Sequence, residues 1–205
     1  MTSNEEVAIV QIDVATAFDK VHREALTSFA QNIIKGVAPE AATFIESMYD
    51  GDEVTIFFCR ATKTVTMKSG IRQGDPLSLA LFSALLGHIM RPLIIRWKEK
   101  GRGAELDPHR PGDKVTILAY ADDVTVFAAS RNRASAMINE MMTALEGINL
   151  QLLPEKCSAL WSNAPNGSAT ANISLGNERI PINDALVILG QEISFRQDSM
   201  HALKH

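Results

Sequence analysis

The chain has 205 residues, 46% of them hydrophobic and 21% charged, with a net charge of −4. That length suffices for one well-buried domain, or for one domain with a small appendage, and the composition is that of an ordinary globular protein. The acidic balance excludes a self-sufficient, high-affinity nucleic-acid binder with a basic face, so such a function needs local basic patches, metal ions or a partner's surface.

Val7 to Ile12 is β-branched and almost continuously apolar, which predicts a buried strand running straight into Asp13. Helices are predicted from about His22 to Ile34 and from Pro39 to Tyr49, with Pro39 suited to a first turn. Val54–Cys59 and Thr64–Lys68 are strand-like, with Arg60 to Lys63 as their connection. A loop, Ser69 to Asp75, leads into a long helix from Pro76 to about Lys100, whose end gathers Arg96, Lys98, Lys100 and Arg102. Basic side chains there suit the negative end of a helix dipole. Gly101 to Asp113 reads as a polar loop, followed by two strand-like runs, Val115–Ala119 and Val124–Ala128, around Tyr120-Ala121-Asp122-Asp123. Arg131 to Asn149 is an amphipathic helix in which Ala134, Met137, Ile138, Met141, Met142, Leu145 and Ile148 recur at three- and four-residue steps. Its methionines are expected to be core. Cys157–Ser162 is a short strand, Asn163–Asn172 a linker, and the remainder small strands at Ile173–Leu175, Arg179–Ile182 and Leu186–Ile193.

Cys59 and Cys157 form no disulfide framework and no metal-ligand spacing, which predicts a reducing compartment and leaves nucleus and cytoplasm both open. Five histidines show no zinc spacing, and Met1 to Glu6 is polar and acidic, unlike a secretory leader. The longest uncharged stretch, Pro76–Met90, is too short and too polar for a membrane span, so a soluble protein without a membrane partner is expected.

The Asp122-Asp123 pair fits an ordinary turn, because Asp is a favoured turn residue. It also fits a cation site, because adjacent carboxylates repel and resist desolvation. The element order (strand with Asp13, long helix, two strands around Asp122, helix, strand) is that of a split βαβ, ferredoxin-like α+β core. In that order the end of the first strand lies beside the central hairpin's turn.

Four ordered segments carry a resemblance: Asp13 to Val21 ("DVATAFDKV"), Gly70 to Ser78 ("GIRQGDPLS"), Tyr120 to Asp123, and the Gly147–Lys156 connection. Together, over roughly Val7 to Gly190, the chain resembles the palm of reverse transcriptases, especially those of non-long-terminal-repeat retrotransposons. The resemblance implies an RNA-directed DNA polymerase with Asp13, Asp122 and Asp123 holding two Mg²⁺ ions, for which Mn²⁺ can substitute. It implies that Phe18 crowds the sugar 2′-position and that Gln73, with Arg72 and Gly74, meets the incoming nucleotide. Lys156 would protonate the leaving pyrophosphate, and Leu189-Gly190 would turn a primer-gripping hairpin. Implied partners are an RNA template, a DNA primer, dNTPs, and missing segments or a partner protein. A core aromatic, an exposed loop arginine and a solvated lysine are the plain alternatives for Phe18, Arg72 and Lys156.

Residues 1–162 are expected to be the palm, and 163–205 a linker and small hairpin with a short tail. The first of the four segments, Asp13 to Val21, begins within the first fifteen residues, so fingers and thumb are expected to be largely absent. Leu79 stands where the family usually has Pro, and Leu153 where it commonly has Asn. Neither departure removes a metal ligand. The other function class is a non-catalytic retroelement relic or domesticated scaffold that binds RNA or protein through the same fold. Purine-specificity residues of a nucleotidyl cyclase are not found, and Phe18 disfavours an RNA-dependent RNA polymerase.

Overall fold

The structure is a computed structural model that describes residues 6–14, 17–51, 53–59, 61–72, 74, 76–107, 109–120, 123–164 and 172–195. In chain order these form β1 (Ala8–Asp13), α1 (Ala17–Lys20), α2 (Arg23–Phe29) running into a π-helical turn at Ala30–Ile34, and α3 (Pro39–Tyr49). Next come β2 (Glu53–Phe58), β3 (Ala61–Thr66), α4 (Pro76–Glu99), β4 (Ala104–Glu105) and β5 (Lys114–Val115). β6 (Ile117–Tyr120), β7 (Asp123–Ala128), α5 (Arg131–Glu146), a 3-10 turn at Pro154–Lys156 and β8 (Ser158–Trp161) follow. Two hairpins close the order: β9 (Asn172–Leu175) with β10 (Glu178–Pro181), and β11 (Ala185–Ile188) with β12 (Gln191–Ser194). The architecture is α+β, in two compact units: one drawn from residues 1–15, 89–144 and 151–205, the other from 16–88 and 145–150.

The first unit is organised by a four-stranded sheet in the order β6-β7-β1-β8, antiparallel throughout. β1 lies inside the sheet, and its register sets Ala8, Val10 and Ile12 against Ala128, Val126 and Val124, all essentially without exposure. The alternate residues Ile9, Gln11 and Asp13 face Phe127, Thr125 and Asp123. Side chains alternate faces along a strand, so this second face is apolar at one end and acidic at the other. Its apolar end joins Val7, Ile9, Phe127 and Leu160 to Ala104, Leu186 and Ile188 in one buried cluster. The β11–β12 hairpin therefore packs on the face that carries the two aspartates, and Gln11 Nε2 donates to the Val187 carbonyl at 3.0 Å.

Polar ties fix the rest of this unit. Glu6 Oε1 accepts from the Arg131 N–H at the start of α5 (2.8 Å) and from Trp161 Nε1 (2.7 Å). Asn139 holds the β9–β10 hairpin, its amide donating to the Ser174 carbonyl (3.0 Å) and accepting from the Gly176 N–H (2.7 Å). Glu140 accepts from Trp97 Nε1 at 2.8 Å and pairs with Arg102 at 2.7 Å and Arg96 at 3.5 Å. Two of the four basic residues around the end of α4 thus have a carboxylate partner across the unit, beyond the dipole effect expected.

The second unit packs α2, its π-turn and α3 around Leu26, Phe29, Ala30, Ala42, Ile45 and Tyr49. Arg23 is 7% exposed; its guanidinium lies 5.6 Å from the centre of the Tyr49 ring, and its Nε donates to the Gly70 carbonyl at 3.0 Å. β2 and β3 form a ribbon whose strand residues are all exposed.

Several elements differ from expectation. β3 begins at Ala61, so the β2–β3 connection is only Cys59 and Arg60, with Cys59 at φ 53 and Arg60 outside the described residues. The predicted loop from Gly101 contains β4, paired with β5. α5 stops at Glu146, and Asn149 turns the chain at φ 64, a conformation Asn tolerates. The predicted strand Leu186–Ile193 is a hairpin, because Leu189 and Gly190 both take positive φ. Of the predicted linker, residues 165–171 lie outside the described residues. Met137 and Met141 are fully buried, as expected of core. α4, taken whole, is long and apolar enough by length and composition to cross a membrane, which the shorter uncharged stretch did not reveal. Leu81, Phe82, Leu85, Leu86, Met90, Leu93 and Trp97 are buried along it at helical spacing, so one face of the helix is core, while Leu79 and Ile95 are exposed.

Candidate active site

The site grows from the end of β1. Six residues of strand deliver Asp13 to the sheet's end with its side chain half exposed (50%). The register places Asp13 directly opposite Asp123, and Asp123 directly opposite Tyr120. Directly opposed residues share a face, with Cβ atoms about 4.5–5.5 Å apart. Tyr120, Asp123 and Asp13 therefore form one transverse row across three strands. Asp122, predicted beside them, lies outside the described residues. Like charges opposed across a sheet repel, so the row is a standing demand for positive charge.

Lys156 meets part of that demand. The turn Pro154–Lys156 brings its Nζ to 3.7 Å from Asp13 Oδ2. The pair is half exposed on both sides, so solvent screens it and its own contribution to stability is small, about 0–1 kcal/mol. The next residue, Cys157, is buried, and burial pushes its thiol up to about 11. A backbone hydrogen bond with Asp13 opposes that shift, while the Asp13 and Glu155 charges reinforce it. The thiol is protonated at neutral pH and takes no nucleophilic part.

Leu189 and Gly190, the turn of β11–β12, belong to the same unit. Leu189, with Ile188, lines a small crevice shared with Gln11, Leu118, Tyr120, Asp123 and Thr125. Leu189 is 53% exposed at φ 48, and a non-glycine residue in that region is strained by about 1–2 kcal/mol. The expected hairpin turn is thus brought beside the acidic row. Among the described residues no group of three candidate metal ligands comes together.

The other predicted residues lie in the second unit. Phe18 is half buried, with its ring centre 4.8 Å from that of Phe82. Its carbonyl accepts from the Ile71 N–H at 2.6 Å, while the Val21 carbonyl accepts from the Gly70 N–H at 2.9 Å. The end of the Asp13–Val21 segment and the start of the Gly70–Ser78 segment are thus laced together. Gly70 sits at φ 89, and a Cβ there would come within 3.1 Å of the Asp19 carbonyl oxygen, so only glycine fits this approach. Arg72 donates to the Met48 carbonyl at 3.3 Å, and Gly74 is exposed at φ 87. Gln73 lies outside the described residues. Sequence reasoning missed Gln11 and Asn139; the signal for Gln11 was a lone amide within an apolar strand.

A half-exposed acidic row ending an antiparallel sheet is the kind of site that metal-dependent nucleotidyl transfer uses. The chain belongs to the reverse transcriptase (RNA-dependent DNA polymerase) family, whose model matches residues 2–193. It is 26% identical over 159 residues to the retrovirus-related Pol polyprotein from a type-1 retrotransposable element R2 of Nasonia vitripennis, covering 74% of this chain and 14% of that protein. It is 27% identical over 163 residues to the corresponding polyprotein of Popillia japonica, covering 78% of this chain and 25% of that one. The fold is similar to that of apo telomerase from Candida tropicalis, with a TM-score of 0.62 at 12% identity over 92% of this chain and 31% of that one. The expected family, of non-long-terminal-repeat type, is therefore the one found.

Proposed function

We propose that this chain is the palm of an RNA-directed DNA polymerase, joining dNTPs to a primer 3′-hydroxyl on an RNA template. The observation that carries the reading is the cross-strand pair Asp13 and Asp123 with Lys156 at 3.7 Å, in a chain of this family. The strand order β6-β7-β1-β8, with α4 preceding β6 and α5 preceding β8, supports a split βαβ core. Residues 1–162 are the palm in this reading, and 163–205 supply the linker and primer-gripping hairpin.

The donor set fits divalent cations: hard carboxylate oxygens, half exposed, with more negative charge than Lys156 neutralises. Asp13, Asp122 and Asp123 would hold them. Two bound Mg²⁺ or Mn²⁺ ions would lower the pKa of the primer hydroxyl and neutralise the triphosphate. Lys156 supplies a proton donor next to Asp13, Leu189-Gly190 cradle the primer end, and Gln73, Arg72 and Gly74 meet the nucleotide. Phe18 crowds the sugar 2′-position. Changing Phe18 to Val is expected to raise ribonucleotide incorporation at least about tenfold, the effect of removing a steric discrimination of ~1.4 kcal/mol. An unchanged sugar preference returns Phe18 to core packing against Phe82.

The second reading, a relic or scaffold that binds RNA or protein without catalysis, is favoured by the net charge of −4 and by Leu79 and Leu153. An acidic chain binds primer-template weakly by itself, so weak extension by the isolated chain is expected. Calorimetric titration with Mg²⁺ and Mn²⁺ separates the readings. Binding that Asp13→Asn removes supports the polymerase; no binding by the parent chain supports the scaffold.

A further inference from the structure

The β2–β3 ribbon pairs with no further strand among the described residues, and every residue of its two strands is exposed. A lone two-stranded ribbon is marginally stable at best in water; a third strand or a covering helix is what secures one. The register puts Val54 opposite Val65, Ile56 opposite Lys63 and Phe58 opposite Ala61 on one face. Glu53, Thr55 and Phe57 lie opposite Thr66, Thr64 and Thr62 on the other. The two edges are unlike. β3 carries Lys63 in mid-strand, a charge of the kind that keeps an edge from pairing. β2 has neither proline nor lysine, and its only charge is Glu53 at the first position. It also holds strongly exposed apolar side chains, with Ile56 at 53%, Phe57 at 78% and Phe58 at 76%.

The geometry points to the β2 edge as a pairing surface for a second copy of this chain, β2 lying antiparallel to its counterpart across a two-fold axis at Ile56. A two-fold contact has to be self-complementary, and the alternation Val54, Ile56, Phe58 is so about its middle member. Ile56 then opposes the partner's Ile56, Val54 the partner's Phe58, and Thr55 the partner's Phe57. Opposed residues share a face, so the apolar face continues unbroken through four strands, and aromatic side chains meet β-branched ones, pairs that stabilise a sheet. Glu53 falls opposite the partner's Cys59, so the junction opposes no like charges. The two Lys63 side chains stand on the outer strands, about 14 Å apart at three strand spacings, beyond a Debye length of about 8 Å. Both outer edges of the joined sheet are β3, guarded by Lys63, so association closes at two copies. Size sets the strength. At 78% and 76% exposure the two phenylalanines offer roughly 230–380 Å² per copy. That is well short of the ~800 Å² per partner of a standard interface, so the dimer is a dissociable one with a micromolar Kd. The pairing does not depend on the proposed polymerase chemistry.

Sedimentation velocity on the full chain across about 1–100 µM, a range that brackets a micromolar Kd, is expected to show a monomer–dimer equilibrium. Ile56→Lys sets two lysines against each other at the axis and is expected to raise the Kd at least about tenfold, as is Ile56→Glu. Ile56 is exposed but faces Lys63 in its own ribbon, so circular dichroism of each variant checks the fold. An equimolar mixture of the two variants opposes unlike charges and should dimerise more tightly than either alone, a rescue that misfolding cannot produce. Phe44→Ala, an exposed ring on α3, should leave the Kd unchanged. A chain that stays monomeric throughout the range overturns the second copy as occupant and leaves the edge to a strand of another protein. A dimer that Ile56→Lys does not weaken overturns the β2 placement. A mixture no tighter than its components overturns the two-fold register.

Discussion

Asp13→Asn is expected to reduce metal-dependent primer extension on an RNA template by more than about a hundredfold. Outer-shell partners of a metal ligand are already worth ten- to a hundredfold, and Asp13 would touch the metal itself. Asp122→Asn should behave alike. The companion result concerns folding. Asp13 and Asp123 are opposed like charges on neighbouring strands, so Asp123→Asn should stabilise the metal-free protein by about 0.2–1 kcal/mol while costing it metal affinity. Asp123 is the better probe of repulsion, because Asp13→Asn also strands Lys156, its partner at 3.7 Å. Urea melts in EDTA and in Mg²⁺ read the first effect, and primer extension the second. Equal extension by the parent chain and Asp13→Asn would sink the metal assignment.

Glu140→Ala is expected to cost about 2–4 kcal/mol of stability at neutral pH. The carboxylate serves Trp97 Nε1, Arg102 and Arg96 together, and Trp97 has no exposed surface. Removing it leaves a buried indole N–H and a mostly buried guanidinium unsatisfied, which costs more than the bonds contributed net. Burial alone would raise the Glu140 pKa, but the hydrogen bonds from Arg102 and Trp97 and the Arg102 and Arg96 charges bring it below its ordinary value of 4.5. A carboxylate with a depressed folded pKa contributes stability above its unfolded pKa, and the contribution vanishes as pH falls through the folded value. Stability of the parent chain should therefore drop on acidification below about pH 4.5 by more than that of Glu140→Gln. Urea melts at pH 7 and in that acid range check both; a loss under 0.5 kcal/mol for Glu140→Ala would remove the network's importance.

How far the sequence revealed this molecule depends on the kind of signal. β1 and α5 were legible because one physical pattern, apolar continuity or a 3.6-residue stripe, decides each. Asp13 and the hairpin around Asp122 were legible as neighbours because chain order constrains antiparallel pairing, although the opposition of Asp13 to Asp123 depends on a register that sequence does not state. The Leu186–Ile193 hairpin was legible only through the family resemblance and not from local preference, because Leu189 is a poor advertisement for a positive-φ turn, and tertiary packing of Leu186 and Ile188 overrides its preference. The Asn139 and Glu140 ties were invisible for another reason. A polar residue on an amphipathic helix looks solvated until the partner element is known.

The two-residue period of β1 also has a consequence for how the chain reaches its native state. Sliding β1 by a single residue against β7 would turn Asp13 toward the side now occupied by Val10 and Ile12, both without exposure. Burying an unpaired carboxylate there costs several kcal/mol, more than a slipped ladder can recover. Misaligned conformers are thus selected against by the same side chain that the site requires. A molecule with this sheet zipped correctly has assembled its acidic row in the same event, so folding fidelity and site assembly are a single checkpoint.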